Sequence, residues 1–194
     1  MAVGGEERSS KVTAKSARVR AGRTEDAPAL HRIIQEAYRT DKSWTTEVDL
    51  VRGERISLPQ LKAQLAERRD PIFVAETQSV DGEVTIAGCI CAEWARHHPE
   101  AGLSEECTMF GLFAVDPEYQ SNGIGSRLLQ HATRFAKKEW GCKRAVLWVI
   151  KQRVEILAWY ERLGFEWHGE TRDFVFPDLA LREDVEFRVL SKHL

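Results

Sequence analysis

The stretch Cys107–Val115, CTMFGLFAV, has one hydroxyl and no charge. An almost unbroken apolar run of that length reads as a central strand buried on both faces. Asp116-Pro117 ends it. Shortly after, Gly123-Ile-Gly125 opens a helical pattern to about Trp140, in which Ile124, Leu128, Ala132, Phe135 and Ala136 share one face. A buried strand that turns through glycines directly into a helix constrains the whole chain. The strand needs neighbours on both sides, and the sheet needs helices on its faces.

The remaining pattern supplies them. Ala17–Arg23 alternates as a first strand. Thr24-Glu25-Asp26 predicts a helix start with a hydroxyl cap and acids in the first turn. Leu30, Ile33, Ile34, Ala37 and Tyr38 continue it on one face. Residues 40–57 are irregular and rich in charges and hydroxyls, and Pro59 opens a short helix to about Arg69. Ile72–Glu76 and Val84–Trp94 predict an antiparallel pair around an Asp81-Gly82 turn, followed by a polar loop over 95–105. Ala145–Ile150 is a strand, and Val154–Leu163 a helix closed by Gly164. Phe165–Phe176 and Val185–Leu190 form a final antiparallel pair. The order β-α-α-β-β-β-α-β-α-β-β makes one mixed α/β domain over residues 16–194. Residues 1–15 are too small, polar and charged to bury much surface and are expected to form a flexible tail.

Composition narrows the function. With 194 residues, 43% of them hydrophobic and 30% charged, the chain can build its core without a metal or disulfides. No apolar run approaches the roughly 18 residues a membrane span needs, and the N-terminus lacks the apolar segment of a secretory signal. Neither a membrane partner nor export is expected. Cys89, Cys91, Cys107 and Cys142 include no CxxC pair, so no metal site is expected. Small buried thiols suit a reducing, cytoplasmic location. The net charge is −2, but residues 1–23 carry +4, leaving −6 on the rest. An acidic body argues against nucleic acid as a partner and suits a cationic small substrate.

The strand–turn–helix carries the chemistry. Glycines admit a ligand close to the backbone, and the unpaired amides of a first helical turn attract phosphate. No Lys follows the glycines, which excludes a Walker A loop. Ser126-Arg127-Leu128 supplies no third glycine, which excludes the dinucleotide fingerprint. On these residues alone, a plain tight helix start stays open.

Gln120-x-x-Gly123-x-Gly125, preceded by Phe-Ala-Val-Asp-Pro, resembles the acetyl-CoA signature of the GNAT superfamily of N-acetyltransferases, Gln/Arg-x-x-Gly-x-Gly/Ala. Leu157-Ala-Trp159-Tyr160-Glu-Arg-Leu-Gly164-Phe165 resembles that family's Ala-x-x-Phe-Tyr-x-x-x-Gly-Phe segment. The likeness covers roughly residues 17–190. It implies a mostly antiparallel mixed sheet of six or seven strands with four or so helices. The strands bearing Val115 and Leu147 would splay apart into a cleft for acetyl-CoA, the cosubstrate. Gln120, Ser121, Asn122, Gly123, Ile124, Gly125 and Ser126 would offer backbone donors to the pyrophosphate, with Arg127 adding charge. Phe113, Ala114 and Val115 would pair with the pantetheine arm, and Tyr160 would be the general acid.

Two positions depart from the family pattern. Arg153 stands where an Asn is common, seven residues before Tyr160, and is assigned to a CoA phosphate. Met109 stands where the best-known glutamate base lies. The base candidates are then Glu106, Glu105, Glu93, His97 and His98, with Glu106 preferred at the head of the strand. The 40–57 loop would wall the acceptor site, Glu47, Asp49 or Glu54 binding an ammonium and Trp44 stacking on it. A carboxylate-bearing acceptor would instead use Arg52 or Arg55. The implied function is direct acetyl transfer, in a ternary complex, to a primary amine of a small molecule. A protein Nα- or lysine acetyltransferase and a non-catalytic acetyl-CoA sensor are the alternatives. A homodimer is compatible with the sequence.

Overall fold

The computed structural model describes residues 17–78 and 82–194. The 1–15 tail, and Asp81 of the expected turn, lie outside them. The elements are β1 (Arg18–Ala21), α1 (Ala27–Arg39), α2 (Leu58–Glu67), β2 (Ile72–Gln78), β3 (Val84–Trp94), β4 (Cys107–Val115), α3 (Ile124–Glu139), β5 (Arg144–Ile150), α4 (Val154–Arg162), β6 (Glu166–Asp173) and β7 (Glu186–His193). The order is the expected one. The strands form one sheet, β1-β2-β3-β4-β5-β7-β6. Every neighbouring pair is antiparallel except β4–β5, which is parallel.

Each face of the sheet has its own core. On one, α1 buries Leu30, Ile33 and Ile34 against Leu61 and Leu65 of α2, Val74, Cys89 and Cys91. On the other, Leu128, Leu129 and Ala132 of α3 and Leu157 of α4 pack on Phe73, Ile90, Phe110, Leu147 and Leu190. Each fully buried Leu or Ile side chain contributes about 1.5–3 kcal/mol. The four cysteines are free and buried.

Two expectations need correction. Thr24 makes no capping bond. The chain enters α1 through a 3₁₀ turn at Thr24–Asp26, and the Arg23 N–H donates to Asp26 Oδ2 at 2.8 Å. Pro28 in the first turn of α1 leaves the carboxylate three residues past Arg23 to reach back instead.

Nor is β4 buried on both faces throughout. Met109, Gly111, Phe113 and Val115 are only half-buried, because β5 abandons the strand. Pairing runs from Cys107↔Arg144 to Met109↔Val146 and no further. On its other flank β4 carries a bulge: Cys91 faces Gly111 and Cys89 faces Ala114, so two residues oppose Ile90. Leu112 sits there with φ +43°. The bulge reverses the side-chain alternation, sending Leu112 and Ala114 to the α1 core and Phe113 to the α3 side.

Candidate active site

The parting of β4 from β5 opens two cavities that share Phe113, Arg153 and Ile156 in their walls. The smaller is about 250 Å³, lined by Val115, the 120–126 turn, Trp44 and Trp159. The larger is about 720 Å³, lined by α1, α2, β4, β5, Tyr160 and the segment 174–187.

The turn at the smaller cavity is built by its own side chains. Ser121 and Gly123 take left-handed φ angles of +62° and +77°. The first bond of α3 runs from Arg127 N–H to Gly123 O at 3.1 Å. The amides ahead of it therefore have no helical carbonyl to reach. Gln120 Nε2 donates to Val115 O (3.0 Å) and Ser43 Oγ (2.9 Å), while its Oε1 accepts from Trp44 N–H. Asn122 Nδ2 donates to Tyr119 O and Gln120 O. Both side chains shape the loop, and Asn122 and Arg127 line neither cavity. A Cβ at Gly125 would lie 3.6 Å from the Trp159 ring and from Val115. Free amides on a left-handed turn, beside an unpaired strand edge, fit the diphosphate and amide-rich arm of CoA.

Tyr160 is buried, 6.4 Å ring to ring from Phe113, and lines the larger cavity. Burial holds its phenol far above the ordinary value, so it stays protonated. The Tyr38 hydroxyl donates to Phe113 O at 3.0 Å, pinning the strand where the cavities meet. Sequence reasoning placed Tyr38 on the apolar face of α1 but missed this bond, which joins residues 75 positions apart.

The expected base and acceptor residues fall differently. Glu106 is 58% exposed, paired to Lys143 Nζ at 2.5 Å, at the closed end of the β4–β5 pair. It reaches neither cavity, because the strands have not yet parted there. His97 and His98 bind Asp70 (2.9 and 2.7 Å), and Glu105 pairs with Arg96; all three lie outside both cavities. Glu93 does line the larger one. It sits opposite Met109 in the β3–β4 register, and its Oε1 lies over Gly111, 2.8 Å from where a Cβ would be. Burial pushes its carboxyl above the ordinary range, against the opposing pull of His98 and Arg55. Counting back through the hairpin from Met109 was the signal that would have selected it.

Glu47 reaches the larger cavity, but both its oxygens are engaged. Oε1 accepts from Arg153 Nη1 at 2.9 Å and Oε2 from Arg39 Nη1 at 2.7 Å. The Glu47 and Arg153 side chains are each 9% exposed. Arg153 is thus a buried counter-charge to Glu47 at the junction of the cavities, in the wall of both. Trp44, 47% exposed, lines the smaller cavity and not the larger one. Arg52 is spent on Asp178 O. That contact belongs to a strap over the larger cavity: Val51 bridges Ala180, Arg52 N–H donates to Leu179 O, and Leu181 N–H to Leu50 O.

Among the described residues, no helix is long and apolar enough to cross a membrane, and no three His, Cys, Asp or Glu side chains are grouped to hold a metal.

A mixed sheet that splits between two parallel strands, with a glycine turn and helix start at the mouth of the split, is the framework of the GNAT acetyltransferases. The model of the Acetyltransferase (GNAT) family matches residues 28–165, and the chain belongs to that family. An uncharacterized N-acetyltransferase of Methanocaldococcus jannaschii is 34% identical over 98 residues, 50% of this chain and 39% of that protein. The spermine/spermidine N(1)-acetyltransferase of Bacillus subtilis is 29% identical over 71 residues, 37% of this chain and 46% of that protein. The ribosomal protein bS18 alanine N-acetyltransferase of Escherichia coli is 36% identical over 80 residues, 41% of this chain and 52% of that protein. The chain thus spans about half or less of the curated relatives it matches. The fold is shared with yncA of Salmonella typhimurium, solved with its cofactor acetyl-CoA, at TM-score 0.66 and 15% identity over 92% of this chain and 94% of that one.

Proposed function

We propose that this chain transfers an acetyl group from acetyl-CoA to a primary amine of a small molecule, by direct attack in a ternary complex. The observation that carries this reading is the junction at Phe113, where a turn of unpaired amides and a larger cavity open onto one parted strand edge. When bound, acetyl-CoA supplies the acyl group as an activated thioester.

The amides of Ser121–Ser126 would hold the diphosphate, and the backbone of Phe113, Ala114 and Val115 would align the arm and polarise the carbonyl. Glu93 would take the proton from the incoming ammonium, directly or through a water. Its raised pKa brings it closer to the amine it must deprotonate. Tyr160 would donate to the departing sulfur, which its retained proton permits.

The strap between the 40–57 loop and residues 178–181 favours a small acceptor over a polypeptide, which needs an open groove. A primary-amine acceptor is in line with the name of the Bacillus subtilis relative, a spermine/spermidine N(1)-acetyltransferase. The test is release of free CoA thiol from acetyl-CoA across a panel of small amines and N-terminal peptides. Amine-dependent release supports the reading. Peptides outperforming every small amine would transfer it to protein acetylation, and tight CoA binding without release to any amine would make the protein a sensor.

A further inference from the structure

The larger cavity holds a cation that no carboxylate contacts directly, though it lies within Coulombic reach of Glu93. Arg55 lies in its wall, half-buried, at the end of the irregular loop before α2. Its backbone is fixed: the N–H donates to Gln35 Oε1 at 3.1 Å, and Gln35 Nε2 donates onward to Ile56 O at 2.9 Å. Its guanidinium stands over the Tyr38 ring, 5.3 Å from the centroid, and makes no ion pair or side-chain hydrogen bond among the described residues. Arg153 stands over the same ring, also at 5.3 Å. Its Nη1 is taken by Glu47, but its buried Nε has no acceptor.

The charges grouped around the Tyr38 ring point the same way. Glu47 is shared between Arg39 and Arg153, which leaves those three side chains with one positive charge in excess before Arg55 is added. Of the other carboxylates in the wall, Glu54 and Glu67 are exposed, Glu54 facing His31, and Glu93 lies on the sheet floor beside the parted strands, within Coulombic reach of Arg55. Holding two guanidiniums against one phenol costs repulsion that a bound anion would relieve. A planar fork with open donors matches a carboxylate in shape and charge.

Resting on the acetyltransferase reading, we infer that the acceptor is an amine that also carries a carboxylate, bound by Arg55 with Arg153 behind it, its amino group directed to the Glu93 side. The expected small cationic amine is thereby replaced by an amino-acid-like acceptor. Glu47, the residue that was to hold an ammonium, is already neutralised within the protein.

The probes are free amino acids and, for each, the carboxamide that lacks the negative charge. Wild-type kcat/KM is expected to favour the acid over its carboxamide by about tenfold to a hundredfold, the worth of a charge-assisted contact. Arg55→Gln is expected to bring that ratio close to one, and Arg55→Lys to restore part of it. Circular dichroism and the acetyl-CoA KM report whether the variants remain folded and able to load the cosubstrate. Carboxamides or polyamines serving wild type as well as the acids, or a ratio untouched in Arg55→Gln, would overturn the inference while leaving acetyl transfer standing. No thiol release with any amine would overturn the acetyltransferase reading itself, and the inference with it.

Discussion

Removing the Glu47 carboxylate should cost the protein stability before it costs anything in catalysis. Glu47 joins Arg39 of α1 to Arg153 at the entry to α4, residues 114 positions apart in the chain. The three side chains are 9–12% exposed. In Glu47→Ala, Arg39 keeps Gly53 O at 2.8 Å and Tyr38 O at 3.3 Å. Arg153 keeps no acceptor at all, its Nε having none to begin with. Stranding a buried charge in this way costs about 3–5 kcal/mol. At about 2–4 °C per kcal/mol for a chain of this size, the melting temperature should fall by about 6–20 °C. Glu47→Gln keeps one acceptor oxygen and should lose about half as much. Thermal unfolding by circular dichroism, with urea titration to check that the slope is unchanged, measures both. A shift under about 2 °C would place the network with solvated surface pairs, worth about 0–1 kcal/mol, and refute the reasoning. A stable Glu47→Ala protein with a raised KM for cationic amines alone would return Glu47 to the acceptor site.

Tyr160→Phe should lower kcat by about 10²–10⁴ with little change in the acetyl-CoA KM, since only proton donation to the sulfur is removed; steady-state kinetics with an unchanged kcat would make Tyr160 a packing residue. Gly125→Glu should keep the fold and abolish CoA binding by calorimetry, whereas Gly125→Ala should bind, because a Cβ there meets its neighbours at an ordinary 3.6 Å. A base acts when ionised, and Glu93 is held above the ordinary value. The acid limb of kcat/KM should therefore fall at a pH above that of an ordinary glutamate, about 4.3, and Glu93→Gln should abolish that limb together with most of kcat.

What could be read from the residues was local. The apolar run of β4, the glycine turn and the Gln120–Gly125 and Leu157–Phe165 segments carry their meaning within a dozen or so positions, where backbone geometry and periodicity act. They were enough to place every described element in order and to expect a phosphate turn before α3. The family resemblance also led to the expectation that the strands of Val115 and Leu147 part.

The acceptor side could not be read that way, because its residues are paired by tertiary register. Glu93 joins the site only because β3 aligns it with Met109 and the strand gap exposes that position, while Glu106, nearer in sequence, falls at the closed end. Glu47 and Arg153 are read from the sequence as separate ligand contacts until the fold brings them to 2.9 Å, where Glu47 is shared between Arg153 and Arg39. The sequence by itself determined the order of the elements and the glycine turn before α3, since those follow from short-range pattern. Which charges remain unpaired in the larger cavity was decided only by the tertiary structure, because a charge is spent or available according to its partners, and Glu47 meets Arg153 across 106 positions of the chain.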